Sequence, residues 1–221
     1  MAQESTARKL TEFEPVAVGK AARFGGGEPP APPVRPNRPI AANAWLAVVM
    51  FLGAEVMFFA GLIGAYLVFR VNAVHWPPPF QPRLPVGVTG VNTIILIASA
   101  FTMWRALKAA RVSDRIGLVR YLAITAALGT AFLFIQGYEW AQLLRFGLTV
   151  SSSVYGGLFY TLIGFHALHV FGGLTWLLVV LLQARQGSYT GRQHVGVQTC
   201  NMYWMFVVAL WPVLYGLVYL Y

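Results

Sequence analysis

The sequence predicts an all-α membrane protein: a bundle of five transmembrane helices behind a disordered or extended amino-terminal tail. Three observations predict it. Of 221 residues, 57% are apolar or aromatic and only 10% are charged, against about 25% charged in a soluble chain. Five apolar runs are each long enough to cross a hydrocarbon core, which takes roughly 20 residues. Prolines, glycines and bases mark the boundaries between the runs.

Residues 1–40 hold a GGG run and APPVRPNRP, with four acids and six bases. Such a segment buries too little apolar area to offset its ordering entropy, so it is read as a tail, separate from a five-helix domain over 41–221. It lacks the apolar region of a cleavable signal peptide, and none is expected. Its mixed charge also argues against a nucleic-acid-binding arm. The net charge of +9 is instead read as membrane topology.

The first span is expected from about Ala44 to Phe69, with Glu55 near its middle. A loop containing Pro77, Pro78 and Pro79 follows, since consecutive prolines block helix and sheet alike. The second span runs from about Gly87 to Ala110, and the third from about Leu118 to Leu144, ending in IQGYEWAQLLR. The fourth covers Val154 to Leu182 and the fifth Val197 to Tyr221.

Five spans place the termini on opposite sides. The loop between spans two and three, with its flanks, holds Arg105, Lys108, Arg111, Arg115 and Arg120. The loop between spans four and five holds Arg185 and Arg192, and the other two loops hold Arg70, Arg83 and Arg145. Seven against three places the amino terminus in the cytoplasm and the carboxyl terminus outside. Cys200 is the sole cysteine, so no intrachain disulfide is possible.

Residues 41–221 contain only Glu55, Asp114 and Glu139 as acids. A carboxylate at mid-bilayer costs about 2.5–3.5 kcal/mol on insertion scales. Glu55 must be neutral, paired or wetted, and is expected to hydrogen-bond the face of the fourth span that carries His166 and His169. Those histidines lie three apart, on one side of a helix. A metal or haem centre would draw ligands from a second element, yet no other span holds a histidine. They are therefore read as interhelical hydrogen-bonding groups, and no metal or cofactor is expected in this chain. Gln136 and Glu139 also share a face near the outer end of the third span and are expected either to anchor that end at the interface or to bond across to a loop. Small residues at Ala60 and Gly64, Gly156 and Gly157, and Gly172 and Gly173 are expected to allow close helix approach. Trp45, Trp76, Trp104, Trp140, Trp204 and Trp211 are read as interfacial belts.

Five stretches resemble, in order, those of the cytochrome c oxidase subunit III family of haem-copper oxidases. GAEVMFFAGL at Gly53–Leu62 resembles SEVxFFxxF. GVNTIILIASA at Gly90–Ala100, with Asn92, resembles LNTxxLLxSG, and FIQGYEWAQL at Phe134–Leu143 resembles LQxxEYxxA. VYGGLFYTLIGFHALHVFGG at Val154–Gly173, with Gly164 and Phe165, resembles VYGSTFFxxTGFHGLHVxxG. MYWMFVVALW at Met202–Trp211, with Tyr203 and Trp204, resembles YWHFVDxxW. Five spans match the family's short form, which lacks the first two of seven.

The resemblance implies an accessory subunit without haem or copper of its own. Those groups would sit in partner subunits, with this chain on the flank of oxidase subunit I beside other oxidase subunits and structural phospholipids. It implies a bacterial cytoplasmic membrane and leaves open a larger respiratory supercomplex. It places the family's carbodiimide-reactive glutamate on Glu55. Three positions depart: Met205 stands for the family's His, Val208 for its Asp and Gln198 for an acid. Two other functions stay open: the homologous accessory subunit of nitric oxide reductase, and a stand-alone proton or small-solute transporter using Glu55.

Overall fold

The computed structural model of the chain describes residues 38–76, 78 and 85–220. The expected tail lies almost wholly outside them, as do Pro77, Pro79, Arg83 and Tyr221. Among the described residues there are five long helices: α1 (Arg38–Val71), α2 (Val86–Arg111), α3 (Arg115–Arg145), α4 (Val154–Arg185) and α5 (Val195–Tyr215), the last running into a π-helical turn at Gly216–Leu220. All five are long and apolar enough to cross a membrane. They extend past the expected spans because apolar content marks only what sits in hydrocarbon, whereas backbone hydrogen bonding continues through the polar ends. α1 starts at Arg38 with Pro39 in its first turn, where a missing N–H costs nothing.

The helix ends follow local chemistry. Asp114 caps α3 by accepting from Gly117 N at 2.9 Å, and Ser153 caps α4 by accepting from Gly156 N at 3.1 Å. α3 and α4 stop at Gly147 and Gly187, whose φ values of 87° and 83° suit a residue without Cβ. Each is followed by an amide bonded back into the last turn: Leu148 N to Leu143 O and Ser188 N to Gln183 O. Ser113 takes the equivalent place after α2 at φ 59°.

The four helices α2–α5 enclose the core around Trp204, Trp211, Phe132, Phe159, Leu96 and Met103, all essentially inaccessible. The belt reading fails for Trp204 and Trp211. Trp204 Nε1 donates to Ser99 Oγ at 3.1 Å, and Trp211 Nε1 donates to Thr93 Oγ1 at 2.9 Å. An indole goes inside when its one donor finds an acceptor, and α2 offers a hydroxyl at both heights. Trp45 and Trp104 do remain exposed.

α1 is peripheral. Only 6% of its apolar window is buried, against 44% for the last span. One stripe faces the bundle, through Glu55, the buried Phe59 and Tyr66, and Arg70. The expected close approach at Gly64 does not occur: a Cβ there would have nothing within 4 Å. Close packing falls instead at Gly173, where a Cβ would lie 3.0 Å from the Tyr203 ring, and at Gly129, where it would lie 2.7 Å from Trp204. Gly156 and Gly157 approach the backbone of the preceding loop rather than another helix.

The π-turn exposes a carbonyl that α1 captures. Tyr66 Oη donates to Leu217 O at 3.4 Å, and Arg70 Nη1 donates to the same oxygen at 3.2 Å. Trp76 then packs edge-on against both Tyr66 and Tyr155, which ties the start of the α1–α2 connection to α4.

Candidate functional site: two intramembrane polar clusters

The expected polar residues fall into two groups. The first joins α1 to α4. Glu55 Oε2 lies 2.8 Å from His169 Nε2, with each side chain 15% exposed. His169 Nδ1 lies 2.6 Å from Phe165 O. A carbonyl can only accept, so Nδ1 carries a hydrogen and donates. Nε2 then shares a single proton with Glu55. The pair is either a neutral imidazole receiving that proton from a carboxylic acid, or an imidazolium giving it to a carboxylate. Aromatic rings enclose it. Phe59 meets the imidazole edge-on with centroids 5.0 Å apart, and Phe58 packs edge-on against Phe165 at 5.1 Å. Tyr203 Oη donates to His169 O at 3.2 Å, so α5 holds the same turn of α4.

His166 does not join this pair. It is fully buried, stacked on Trp211 at 4.8 Å and edge-on to Phe132 at 6.3 Å. Three residues along a helix turn the side chain by about 300°. That leaves the two rings roughly 60° apart, enough to fall on either side of a helix wedged between α1 and α5. Neither ring nitrogen of His166 has a hydrogen-bonding partner.

The second group joins α2, α3 and the π-turn. Thr89 Oγ1 lies 3.1 and 3.0 Å from the two carboxyl oxygens of Glu139. Gln136 Nε2 donates to Glu139 Oε2 at 3.3 Å and to Tyr219 Oη at 3.5 Å. Asn92 Nδ2 donates to Phe132 O at 3.1 Å, bridging α2 and α3. Thr89, Asn92, Gln136 and Glu139 are all buried. Gly164 faces the edge of Trp140, 3.7 Å from where a Cβ would stand. Thr89 and Tyr219 were not singled out in the sequence. A threonine at a helix start carries no signal of its own, and Tyr219 lies in the π-turn, which hydropathy does not reveal.

Among the described residues, no three of His, Cys, Asp and Glu come together as a metal site. Val208, at the family's Asp position, is buried, and Met205 is half-buried. The last helix meets its neighbours through Tyr203, Trp204 and Trp211 instead.

These features define a multi-pass α-helical membrane protein whose interior polar groups bind mainly one another across helices. The model of the family described as cytochrome c oxidase subunit III matches residues 37–221. The chain is 45% identical over 174 residues to a cytochrome c oxidase subunit 3 from Synechocystis sp., covering 78% of this chain and 73% of that one. It is 37% identical over 185 residues to a probable cytochrome c oxidase subunit 3 from Nocardia farcinica, covering 83% and 89%. The chain belongs to the cytochrome c oxidase subunit III family. As such it is a respiratory-chain component that works in a complex with other oxidase subunits.

Proposed function

We propose that this protein is the accessory, non-redox subunit III of a bacterial aa3-type cytochrome c oxidase. It binds the flank of subunit I and supports proton uptake there while the complex reduces oxygen and pumps protons. Haem and copper belong to the partner subunits, and phospholipid is held at this subunit's surface. It resides in the bacterial cytoplasmic membrane, with the amino terminus cytoplasmic and the carboxyl terminus periplasmic, the side chosen by the Arg and Lys around the α2–α3 and α4–α5 connections.

The observation that carries this reading is the Glu55–His169 pair, within a chain that matches the subunit III family from residue 37 onward. The pair holds one exchangeable proton at membrane depth, and among the described residues no chain of further carboxylates stands beside it to pass it on. That suits a group that supports a neighbour's proton traffic better than a complete channel. The test is the oxidase purified with and without this chain. Without it, the enzyme should lose activity after fewer turnovers and take up protons more slowly. Equal turnover lifetime and equal uptake would refute the role.

A further inference from the structure

The second polar group carries chemistry that the Glu55–His169 pair does not. Glu139 is only 3% exposed. Among the described residues no Lys, Arg or His stands within ion-pairing distance of it. α2 holds no ionisable residue before Arg105. The titratable groups nearby are Tyr219 in the π-turn and, beyond it, Tyr155 of α4, and phenols are uncharged near neutral pH. His166 of α4 bonds none of them. A carboxylate at Glu139 would be a buried charge without a counter-charge, which is costly in hydrocarbon.

The hydrogen bonds point the same way. Thr89 has a single hydroxyl hydrogen and three oxygens around it: Pro85 O at 3.0 Å, Glu139 Oε1 at 3.1 Å and Glu139 Oε2 at 3.0 Å. Pro85 O can only accept. When Thr89 donates to it, Glu139 must donate to Thr89. Gln136 Nε2 already donates to Oε2, which leaves Oε1 to carry the acid hydrogen. The line therefore runs from Glu139 Oε1 through Thr89 Oγ1 to the first turn of α2. That helix start is loosely finished. Pro85 is half-buried and gives no side-chain cap, while Val86 and Val88 are exposed. Tyr215 of α5 tethers it, its Oη donating to Val86 O at 3.0 Å.

We propose that Glu139 is a second proton-holding site, separate from Glu55, and that it exchanges its proton through Thr89 with water at the end of the bundle where α2 begins. In the exchange the Glu139 O–H bond breaks as a new Thr89 Oγ1–H bond forms. The former Thr89 hydrogen passes to a water molecule that enters beside Pro85 when the helix start opens, leaving hydronium outside and a carboxylate inside. Thr89 then turns its new hydrogen to that carboxylate, and the reverse sequence restores the acid. Pro85 O orients the hydroxyl and carries no proton itself. Thr89 is the relay, and Gln136 positions the acid by occupying Oε2. The site uses only residues of this chain, so it stands or falls separately from the role proposed for the Glu55–His169 pair.

The test is infrared spectroscopy of the intact complex in bilayers during transfer from water to heavy water, with the visible spectrum reporting assembly independently. The expected result is a carbonyl stretch of a protonated carboxylic acid that is lost in Glu139→Gln, kept in Glu55→Gln, and shifted in heavy water. Thr89→Val keeps the side-chain shape without the hydroxyl and should slow that shift about tenfold, whereas Thr89→Ser should leave its rate unchanged. Tyr215→Phe frees the start of α2 and should speed the shift about fivefold. If Thr89→Val does not assemble, Tyr215→Phe decides. The proposal is overturned if Glu139→Gln removes no acid band, or if the band stays fixed in heavy water, which would make the group a structural hydrogen bond only. An unchanged rate in Thr89→Val, or in Tyr215→Phe where that variant decides, would overturn it equally.

Discussion

Glu55 Oε2 sits 2.8 Å from His169 Nε2 across the seam between α1 and α4, and the same imidazole is fixed from behind by Phe165 O at 2.6 Å. With the Tyr66 and Arg70 bonds to Leu217 O, it is a polar tie of an otherwise lipid-like helix. Its removal should loosen α1 before anything else. His169→Leu leaves Glu55 without its partner and should cost about 1–3 kcal/mol, whereas Glu55→Gln keeps a donor toward Nε2 and should cost less than about 1.5 kcal/mol. Unfolding of the purified subunit in mixed micelles measures both. Equal costs would show that the contact does not hold α1.

His166 presents the opposite case. It is fully buried with two unpartnered nitrogens, so its polarity opposes folding while its ring area favours it. His166→Phe keeps a ring against Trp211 and removes the polar atoms. Replacing a buried polar group by an apolar one of like shape is nearly neutral or stabilising. The variant should melt at or above the wild-type temperature in the same micelles. A loss above about 2 kcal/mol, the scale of an unsatisfied buried group, would mean that the ring nitrogens are bonded in the working protein.

Trp204 is pinned at both ends, by Ser99 Oγ on its nitrogen at 3.1 Å and by the absence of a side chain at Gly129. Gly129→Ala would bring a methyl to 2.7 Å from the indole and should cost about 1–3 kcal/mol through overpacking. Ser99→Ala should cost a similar amount, about 1–3 kcal/mol, by orphaning the indole N–H. In Ser99→Ala, Trp204→Phe the two changes should add to less than their sum, because they share one contact. Strict additivity would contradict the pairing.

Tyr189, in the α4–α5 loop outside the spans, donates to Gln183 Oε1. Burial, with a smaller effect of Cys200, raises its phenol above the ordinary 10.0. The folded protein therefore holds this proton more tightly than the unfolded chain. The stability it contributes is complete below pH 10 and fades as pH climbs through the folded value. Relative to Tyr189→Phe, the wild type should lose its advantage only above pH 10. A crossover near neutrality would refute the assignment.

The five helices were legible because hydropathy and length alone identify spans; the caps at Asp114, Ser153, Gly147 and Gly187 were not singled out, because span hydropathy carries no information on helix ends. The pairing of Glu55 with a histidine of α4 was legible because polar groups are so few at that depth. Which histidine was not, since His166 and His169 differ by about 60° of helix rotation and the placement of α1, α3 and α5 around α4 decides between them. The tryptophans misled for a related reason. Position along a span gives height in the membrane but not direction, and Trp204 and Trp211 point inward because Ser99 and Thr93 stand opposite. Gly64 misled likewise, being on the outer side of α1.

Topology follows from the same geometry. Ser113 lies in the α2–α3 turn and Ser151 in the α3–α4 turn, at opposite ends of the bundle. Cys200 is buried and leaves the background of thiol labelling low. Ser151→Cys should react with a membrane-impermeant maleimide in intact cells, and Ser113→Cys only after lysis. The reverse pattern would invert the orientation.

The most direct measurement is a mild-detergent purification through the amino terminus, followed by a visible spectrum and mass spectrometry. The account predicts haem a absorbance and a histidine-rich, many-span partner subunit in fixed ratio to this chain, with any second respiratory complex appearing in the same mass spectrum. A colourless protein without partners would contradict it.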